Sequence, residues 1–303
     1  MNTKPINWRP WAMSNSNPSF LSIRQALRQG EQQLAARSDT SRIDSQVLLA
    51  HALDKPRSFL LTWPEQQLDT IQTARFKHMV QRRQTGEPIA YITGQREFWS
   101  MELEVNQYTL IPRPETEALV ELALEKIPVS AKVRIADLGT GSGAIALAIA
   151  KERPKCQVVA IDQSANALAT AKANATKHSI ENVEFRRGSW FEPIKSESFD
   201  VILSNPPYVA EMDPHLEQGD LRFEPRSALT AGPEGMDAIR HIVDLSRTVL
   251  KNHGWILLEH GYNQGPSVKQ LLIQSGFQNI TIQSDLGGLA RVAIGQFSNS
   301  NAS

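Results

Sequence analysis

The chain has 303 residues, with 32 basic and 32 acidic side chains and therefore no formal net charge. Hydrophobic residues at 41% and charged residues at 21% exclude a disordered or fibrous chain and suit a soluble globular protein. The charge balance weighs against a duplex-binding protein, whose affinity comes largely from phosphate neutralisation. The single cysteine, Cys156, excludes an internal disulfide or a cysteine-based metal cluster.

Residues 1–18 hold Asn, Ser, Pro and two tryptophans without a continuous apolar stretch, so they read as an irregular leader and not a signal peptide. Nowhere does an apolar run approach the roughly 20 residues of a membrane span. With one cysteine, the composition suits a reducing cytoplasm. Residues 19–86 read as a small helical domain. Ile23, Ala26, Leu27 and Leu34 fall near helical spacing, as do Val47, Leu48, Ala50 and Leu53, and then Leu68, Ile71, Phe76, Met79 and Val80. Ser38, Asp39, Asp54, Pro56 and Pro64 punctuate these segments.

The pattern changes over 87–114. Ile89, Tyr91 and Ile92 precede a break at Gly94, Phe98 to Val105 alternates in part, and Leu110-Ile111 follows, which predicts a β-hairpin linker. From 115 to 297 helical and strand patterns alternate. Strands are expected near 133–138, 157–162, 183–186, 200–204, 255–259, 280–283 and 291–295, with helices near 115–126, 144–152, 165–178, 236–251 and 266–275. That alternation predicts βαβ units around a mostly parallel sheet, an α/β domain. Residues 298–303 read as a flexible tail.

The first strand of this domain runs into Asp137-Leu138-Gly139-Thr140-Gly141-Ser142-Gly143-Ala144 and then a helix. Glycines permit the tight turn and close approach of a ligand to the backbone. The helix start offers free N–H groups and positive partial charge. Gly139-x-Gly141-x-x-Ala144 also fits the dinucleotide fingerprint, so the loop by itself admits a nicotinamide or flavin cofactor, or a turn without a ligand. Asp162 ends the next strand, about 20 residues on, where an acid can bond ribose hydroxyls; it is equally placed to cap the helix that follows.

Asp200 to Ser204 leads into Asn205-Pro206-Pro207-Tyr208. Two prolines cannot continue a strand, and each fixes φ; Asn205 before them is held extended. The result is a stiff loop beside the expected cofactor cleft. An amide or aromatic amine nitrogen is a poor nucleophile because its lone pair is delocalised. The Asn205 side-chain oxygen and the Pro206 carbonyl can accept both N–H bonds of such a group, and Tyr208 can lie against its flat face. The competing reading is a proline-rich turn that merely closes a strand; position after the glycine loop and Asp162 favours the functional one. Seven histidines lie scattered without ligand spacing, and no metal is expected. His260, after Glu259 at a strand end, has an open role.

These residues resemble the HemK/PrmC family of release-factor glutamine methyltransferases. The likeness runs from Ser19 to Gln296, and its distinctive pieces are Ile111 to Glu117, Asp137 to Ala144, Asn205 to Tyr208 and Phe223 to Leu229. It implies a Rossmann-like class I S-adenosylmethionine-dependent methyltransferase domain, with helices on both faces of the sheet, behind a small N-terminal helical bundle. It implies S-adenosyl-L-methionine contacts from Gly139, Thr140, Gly141, Ser142, Gly143, Asp162, Trp190 and Asn205. Asn205, Pro206, Pro207 and Tyr208 would line the substrate, with Asn205, Pro206 and Tyr208 catalytic. The implied substrate is the glutamine of Gly-Gly-Gln in class I peptide release factors, which the helical domain would help to hold; no membrane or direct nucleic-acid partner is implied. Arg113, Glu115 and Phe98 are candidates for a cofactor lid. The alternatives are a glutamine methyltransferase of a large-subunit ribosomal protein, an adenine amino-methyltransferase acting on DNA or RNA, and a non-catalytic cofactor-binding adaptor, against which an intact Asn205 argues.

Overall fold

The computed structural model describes residues 21–298. The leader 1–18 and the tail beyond residue 298 lie outside the described residues. These fall into two compact units that divide after Ile89.

The first unit is helical: α1 (Ile23–Leu34), α2 (Ser41–Leu53), α3 (Arg57–Thr62) and α4 (Thr70–Gln84). Ser22 and Gln25 form a capping box at α1, and Asp69 and Gln72 another at α4. Asp54 ends α2 in a left-handed conformation (φ 52°). Gly30 lets the helices close up, since a Cβ there would stand 2.4 Å from Ser45 Oγ and 2.8 Å from the Phe76 ring. Ile23, Leu34, Leu48, Leu49, Leu60 and Phe76 form the buried interior.

At the division lies α5 (Ile89–Thr93), followed in the second unit by β1 (Gln95–Phe98) and β2 (Met101–Glu104). Two expectations are corrected here. Ile89 to Ile92 is helical, because a short apolar run does not reveal its period. The hairpin turn falls at Trp99-Ser100, inside the expected strand. Both residues have positive φ (52° and 54°) in a turn that usually selects Asn and Gly. Acceptors compensate: Glu117 Oε1 takes the Trp99 N–H at 2.8 Å, and Glu97 Oε1 takes the Ser100 N–H at 2.9 Å. Phe98, a lid candidate, is 1% exposed and packs with Met101, Leu103 and Leu119 in the core.

The remaining elements are α6 (Glu117–Lys126), β3 (Arg134–Leu138), α7 (Ala144–Glu152), β4 (Gln157–Asp162), α8 (Ala165–Lys177), β5 (Val183–Arg187), β6 (Phe199–Ser204), α9 (Arg226–Leu229), α10 (Asp237–Val249), β7 (Leu250–Glu259), α11 (Gly265–Gln274), β8 (Phe277–Ser284) and β9 (Ala290–Phe297). The sheet order is β5-β4-β3-β6-β7-β9-β8, parallel from β5 to β7, with β9 antiparallel to both neighbours. Side-chain alternation serves both faces. Val158 and Ala160 of β4 join one core with α6 and α7, while Val159 and Ile161 join the other with α10 and α11. The chain moves outward from β3 to β5 and returns to β6 on the opposite side of β3. That reversal opens a crevice at the carboxyl ends of β3 and β6, where open α/β sheets bind ligands.

Candidate active site

The crevice is a cleft of about 970 Å³, measured out to its open mouth. Its floor is the loop after β3. Gly139, Gly141 and Gly143 all have positive φ (76°, 57° and 87°), conformations that favour glycine. The Gly139 and Thr140 N–H groups both donate to the Ile161 carbonyl at 2.9 Å, which ties the loop to the end of β4. A Cβ on Gly141 would meet nothing within 4 Å and would project into open space. Gly139, Thr140, Gly141 and Ser142 line the cleft, but Gly143 does not. A Cβ there would press on Leu147 Cδ1 at 3.1 Å and Ala171 Cβ at 3.2 Å, so Gly143 serves the packing of α7 against α8.

Asp162 lies on the cleft wall. Its Oδ2 accepts the Gly141 N–H at 2.9 Å and its Oδ1 the Ser164 N–H at 2.8 Å. The cap of α8 is Ser164, whose hydroxyl accepts the Ala167 N–H, and not Asp162. Burial lifts the Asp162 carboxyl above the usual range, against the pull of these backbone donors. Each carboxylate oxygen keeps a lone pair for a diol. Beneath the loop, Asp137 is fully buried and accepts the Thr140 hydroxyl at 2.6 Å. Burial pushes its carboxyl up to about 7.

Trp190 faces the loop from beyond β5, and a Cβ on Gly139 would lie 3.6 Å from its ring. Its φ of 47° is strained for a bulky residue, costing on the order of 1–2 kcal/mol. Such strain persists where the surroundings demand it, and sites of binding are where it gathers. Here the strained residue lines the cleft opposite Gly139.

Asn205 leaves the end of β6, next to Ser204, whose hydroxyl donates to the Leu138 carbonyl at 2.7 Å and fixes β6 to β3. Asn205 and Pro207 line the cleft; Pro206 is buried, and Tyr208 stands behind them, partly packed on the α10 core. The Asn205 Nδ2 donates to Thr116 Oγ1 at 3.1 Å, Thr116 Oγ1 donates to Glu259 Oε2 at 2.7 Å, and the Tyr208 hydroxyl donates to Glu259 Oε1 at 3.0 Å. Burial and the Glu259 charge raise the Tyr208 phenol well above its ordinary value, and burial raises the Glu259 carboxyl. The backbone after Tyr208 is fixed as well. The Val209 N–H donates to the Leu229 carbonyl, Gln264 Nε2 donates to the Tyr208 carbonyl at 3.0 Å, and Gly235 has no Cβ because one would collide with that same oxygen.

The two other distinctive segments meet through Glu224. Its buried carboxylate accepts the Ile111 N–H at 3.0 Å and pairs with Arg113. Arg113 thus braces the cleft's edge from behind, while Glu115 is exposed. Pro112 and Pro225, the neighbours of this staple, both reach the cleft.

The sequence matches known proteins over both units. A PrmC N-terminal domain model matches residues 25–94, and a methyltransferase small domain model matches residues 116–220. The release factor glutamine methyltransferase of Aliivibrio fischeri is 49% identical over 279 residues, covering 91% of this chain and 98% of that protein. The chain belongs to the release factor glutamine methyltransferase family. The family member of Shewanella oneidensis is 48% identical over 275 residues, 91% of this chain and 96% of its own. A solved methyltransferase from Pyrococcus furiosus shares the fold, with a TM-score of 0.51 at 16% identity over 74% of this chain and all of that one.

Within this release factor glutamine methyltransferase family member, sequence reasoning assigned no site role to Glu259, Tyr108, Thr116 or Ser227, although Thr116 and Ser227 lie within the distinctive segments Ile111 to Glu117 and Phe223 to Leu229. Tyr108 and Ser227 line the cleft from outside the sheet. Tyr108 had a local signal, since Asn106 Oδ1 accepts its N–H in a turn that Asn residues favour. The pairing of Thr116 with Glu259 had none, the two being 143 positions apart.

Proposed function

We propose that this protein methylates the side-chain amide nitrogen of the glutamine in the Gly-Gly-Gln motif of class I peptide release factors, with S-adenosyl-L-methionine as donor. The observation that carries the reading is Asn205 at the cleft wall with its amide nitrogen tied back to Thr116, which leaves its oxygen for an incoming NH₂.

The cleft's own residues fit the cofactor. Glycines 139 and 141 leave room where side chains would intrude, Asp162 offers acceptors for a ribose diol, and Trp190 offers a flat face for adenine. Free N–H groups at the start of α7 suit the methionine carboxylate. When bound, S-adenosylmethionine supplies a sulfonium-activated methyl group, so no residue of the chain need act as a nucleophile. The chain's work is positioning. Asn205 Oδ1 and the Pro206 carbonyl accept the two N–H bonds of the substrate amide, favour a less planar nitrogen and stabilise positive charge developing on it. Pro207 and Tyr208 hold the amide plane. Orientation of this kind is worth up to about 7–11 kcal/mol of barrier in ideal cases. The helical unit, residues 19–86 on the sequence reading, serves to hold the protein substrate, and the enzyme works in the cytoplasm without a membrane partner. Among the described residues, no helix is long and apolar enough to cross a membrane.

The test supplies methyl-labelled cofactor with a purified release factor, the large-subunit ribosomal protein and DNA in separate reactions. Label on the release factor that disappears when its Gly-Gly-Gln glutamine is replaced supports the reading. Label confined to DNA or to the ribosomal protein defeats it.

A further inference from the structure

Glu259 ends β7, the strand beside β6, and is 1% exposed. It is not among the residues that line the cleft, yet Tyr208 is bonded to it directly and Asn205 through Thr116. Its Oε2 takes the Thr116 hydroxyl and its Oε1 the Tyr208 hydroxyl, at 2.7 and 3.0 Å. Asn205 Nδ2 stands 3.1 Å from the same Thr116 oxygen.

For an ionised Glu259, the form that both hydroxyl donors and the Arg291 charge favour, the direction of every bond is fixed. An ionised carboxylate only accepts. Thr116 has one hydroxyl hydrogen, and Glu259 takes it. Towards Asn205 the Thr116 oxygen is therefore left with lone pairs alone. An Asn amide can meet it only with its NH₂ end, and its carbonyl oxygen must turn the other way. The two ends of an Asn amide are nearly the same shape, so packing discriminates poorly between them; here hydrogen-bond polarity decides. From these contacts we infer that Glu259 is a positioning residue: through Thr116 it sets which end of the Asn205 amide faces the cleft, and through the same carboxylate it holds Tyr208. The inference rests on the proposed role of Asn205 as acceptor for the substrate nitrogen. Burying a carboxylate costs several kcal/mol unless it is well paired, and here Thr116, Tyr208 and the charge of Arg291 oppose that cost.

Glu259→Gln separates this role from simple bracing. The amide keeps the volume and can still hydrogen-bond both partners, but one of them must now accept. If Thr116 accepts, its hydrogen swings to Asn205 and draws the carbonyl end of that amide inward. A side chain needed only for packing would tolerate the change. The test follows three readouts on the full chain. Turnover with release factor should fall about 10- to 100-fold, while cofactor Kd and the KM for the protein stay within about threefold. Thr116→Val should produce a loss of the same size, and the double variant no more than the larger single loss, because the residues act in one chain. Thr116→Ser, which keeps the hydroxyl, should turn over at least about ten times faster than Thr116→Val. The third readout needs no substrate: the side-chain ¹⁵NH₂ signal of Asn205, assigned by its loss in Asn205→Ser, should show a hydrogen protected from exchange in the wild type and lose that protection in Glu259→Gln. Wild-type turnover in Glu259→Gln overturns the proposal, as does an unchanged Asn205 amide signal. Should Glu259→Gln not fold, the same two readouts in Thr116→Val decide. A wild-type enzyme that leaves release factor unmethylated sinks the proposed function, while the amide signal still decides the orientation.

Discussion

Gly141 and Gly143 are two residues apart, both at positive φ, and alanine at either should fail for a different reason. At Gly141 an added methyl meets no protein atom within 4 Å, so its folding cost is confined to the left-handed backbone, about 1–2 kcal/mol. For a unit of this size that lowers Tm by roughly 2–8 °C. The same methyl stands in the space proposed for the cofactor. Overlap of that kind costs about 1–3 kcal/mol, and at about 1.4 kcal/mol per decade the cofactor Kd should rise roughly 5- to 140-fold. At Gly143 the methyl presses on Leu147 and Ala171 at 3.1–3.3 Å. Gly143→Ala should therefore add about 1–3 kcal/mol of overpacking to the same strain and lose more Tm, while weakening cofactor binding less than Gly141→Ala does. Titration calorimetry with S-adenosylmethionine and thermal melts of the unliganded proteins measure both quantities. Wild-type affinity in Gly141→Ala, or a larger affinity loss in Gly143→Ala, would refute the placement of the ligand over Gly141.

Three further outcomes are expected. Asn205→Ala should cut turnover about 100-fold with cofactor Kd nearly unchanged in calorimetry; equal losses in both would mean that Asn205 merely holds the cofactor. The Asp137 carboxyl, raised by burial to about 7 in the folded state, keeps its proton where the unfolded chain has lost it, so its contribution to stability declines as pH rises from about 4 to 7. Asp137→Asn abolishes that decline, and denaturant melts should show the variant gaining on the wild type across this window, by on the order of 4 kcal/mol at the upper end; a constant difference would contradict the assignment. Arg113→Ala strands the buried Glu224 carboxylate, which should cost about 3 kcal/mol and lower Tm by roughly 6–12 °C; a melt within 1 °C of wild type would show that the pair does not brace the cleft.

What the sequence makes legible here follows from local rules. The alternation of strand and helix patterns, with short near-continuous apolar runs, places β3, β4 and β6, and the Gly139 to Gly143 loop and the Asn205 to Tyr208 turn mark the strand ends where the crevice opens. The hairpin turn at Trp99-Ser100 is hidden because its positive φ values are sustained by acceptors on Glu97 and Glu117, not by glycine or asparagine. Phe98 reads as a lid candidate until the register Phe98↔Met101 shows it on the inner face of the hairpin. Thr116 falls in the distinctive segment Ile111 to Glu117, but nothing local marks its role or that of Glu259, since a threonine near a helix start and a glutamate at a strand end are ordinary. Only the folded sheet, with β7 beside β6, makes them neighbours of Asn205.

The most direct measurement is a crystal structure of the enzyme with demethylated cofactor and a peptide containing Gly-Gly-Gln. The account requires the glutamine amide nitrogen within hydrogen-bond distance of both Asn205 Oδ1 and the Pro206 carbonyl, with the Asn205 nitrogen still on Thr116. A glutamine whose nitrogen points away from those oxygens, or an Asn205 amide turned with its oxygen towards Thr116, would contradict it.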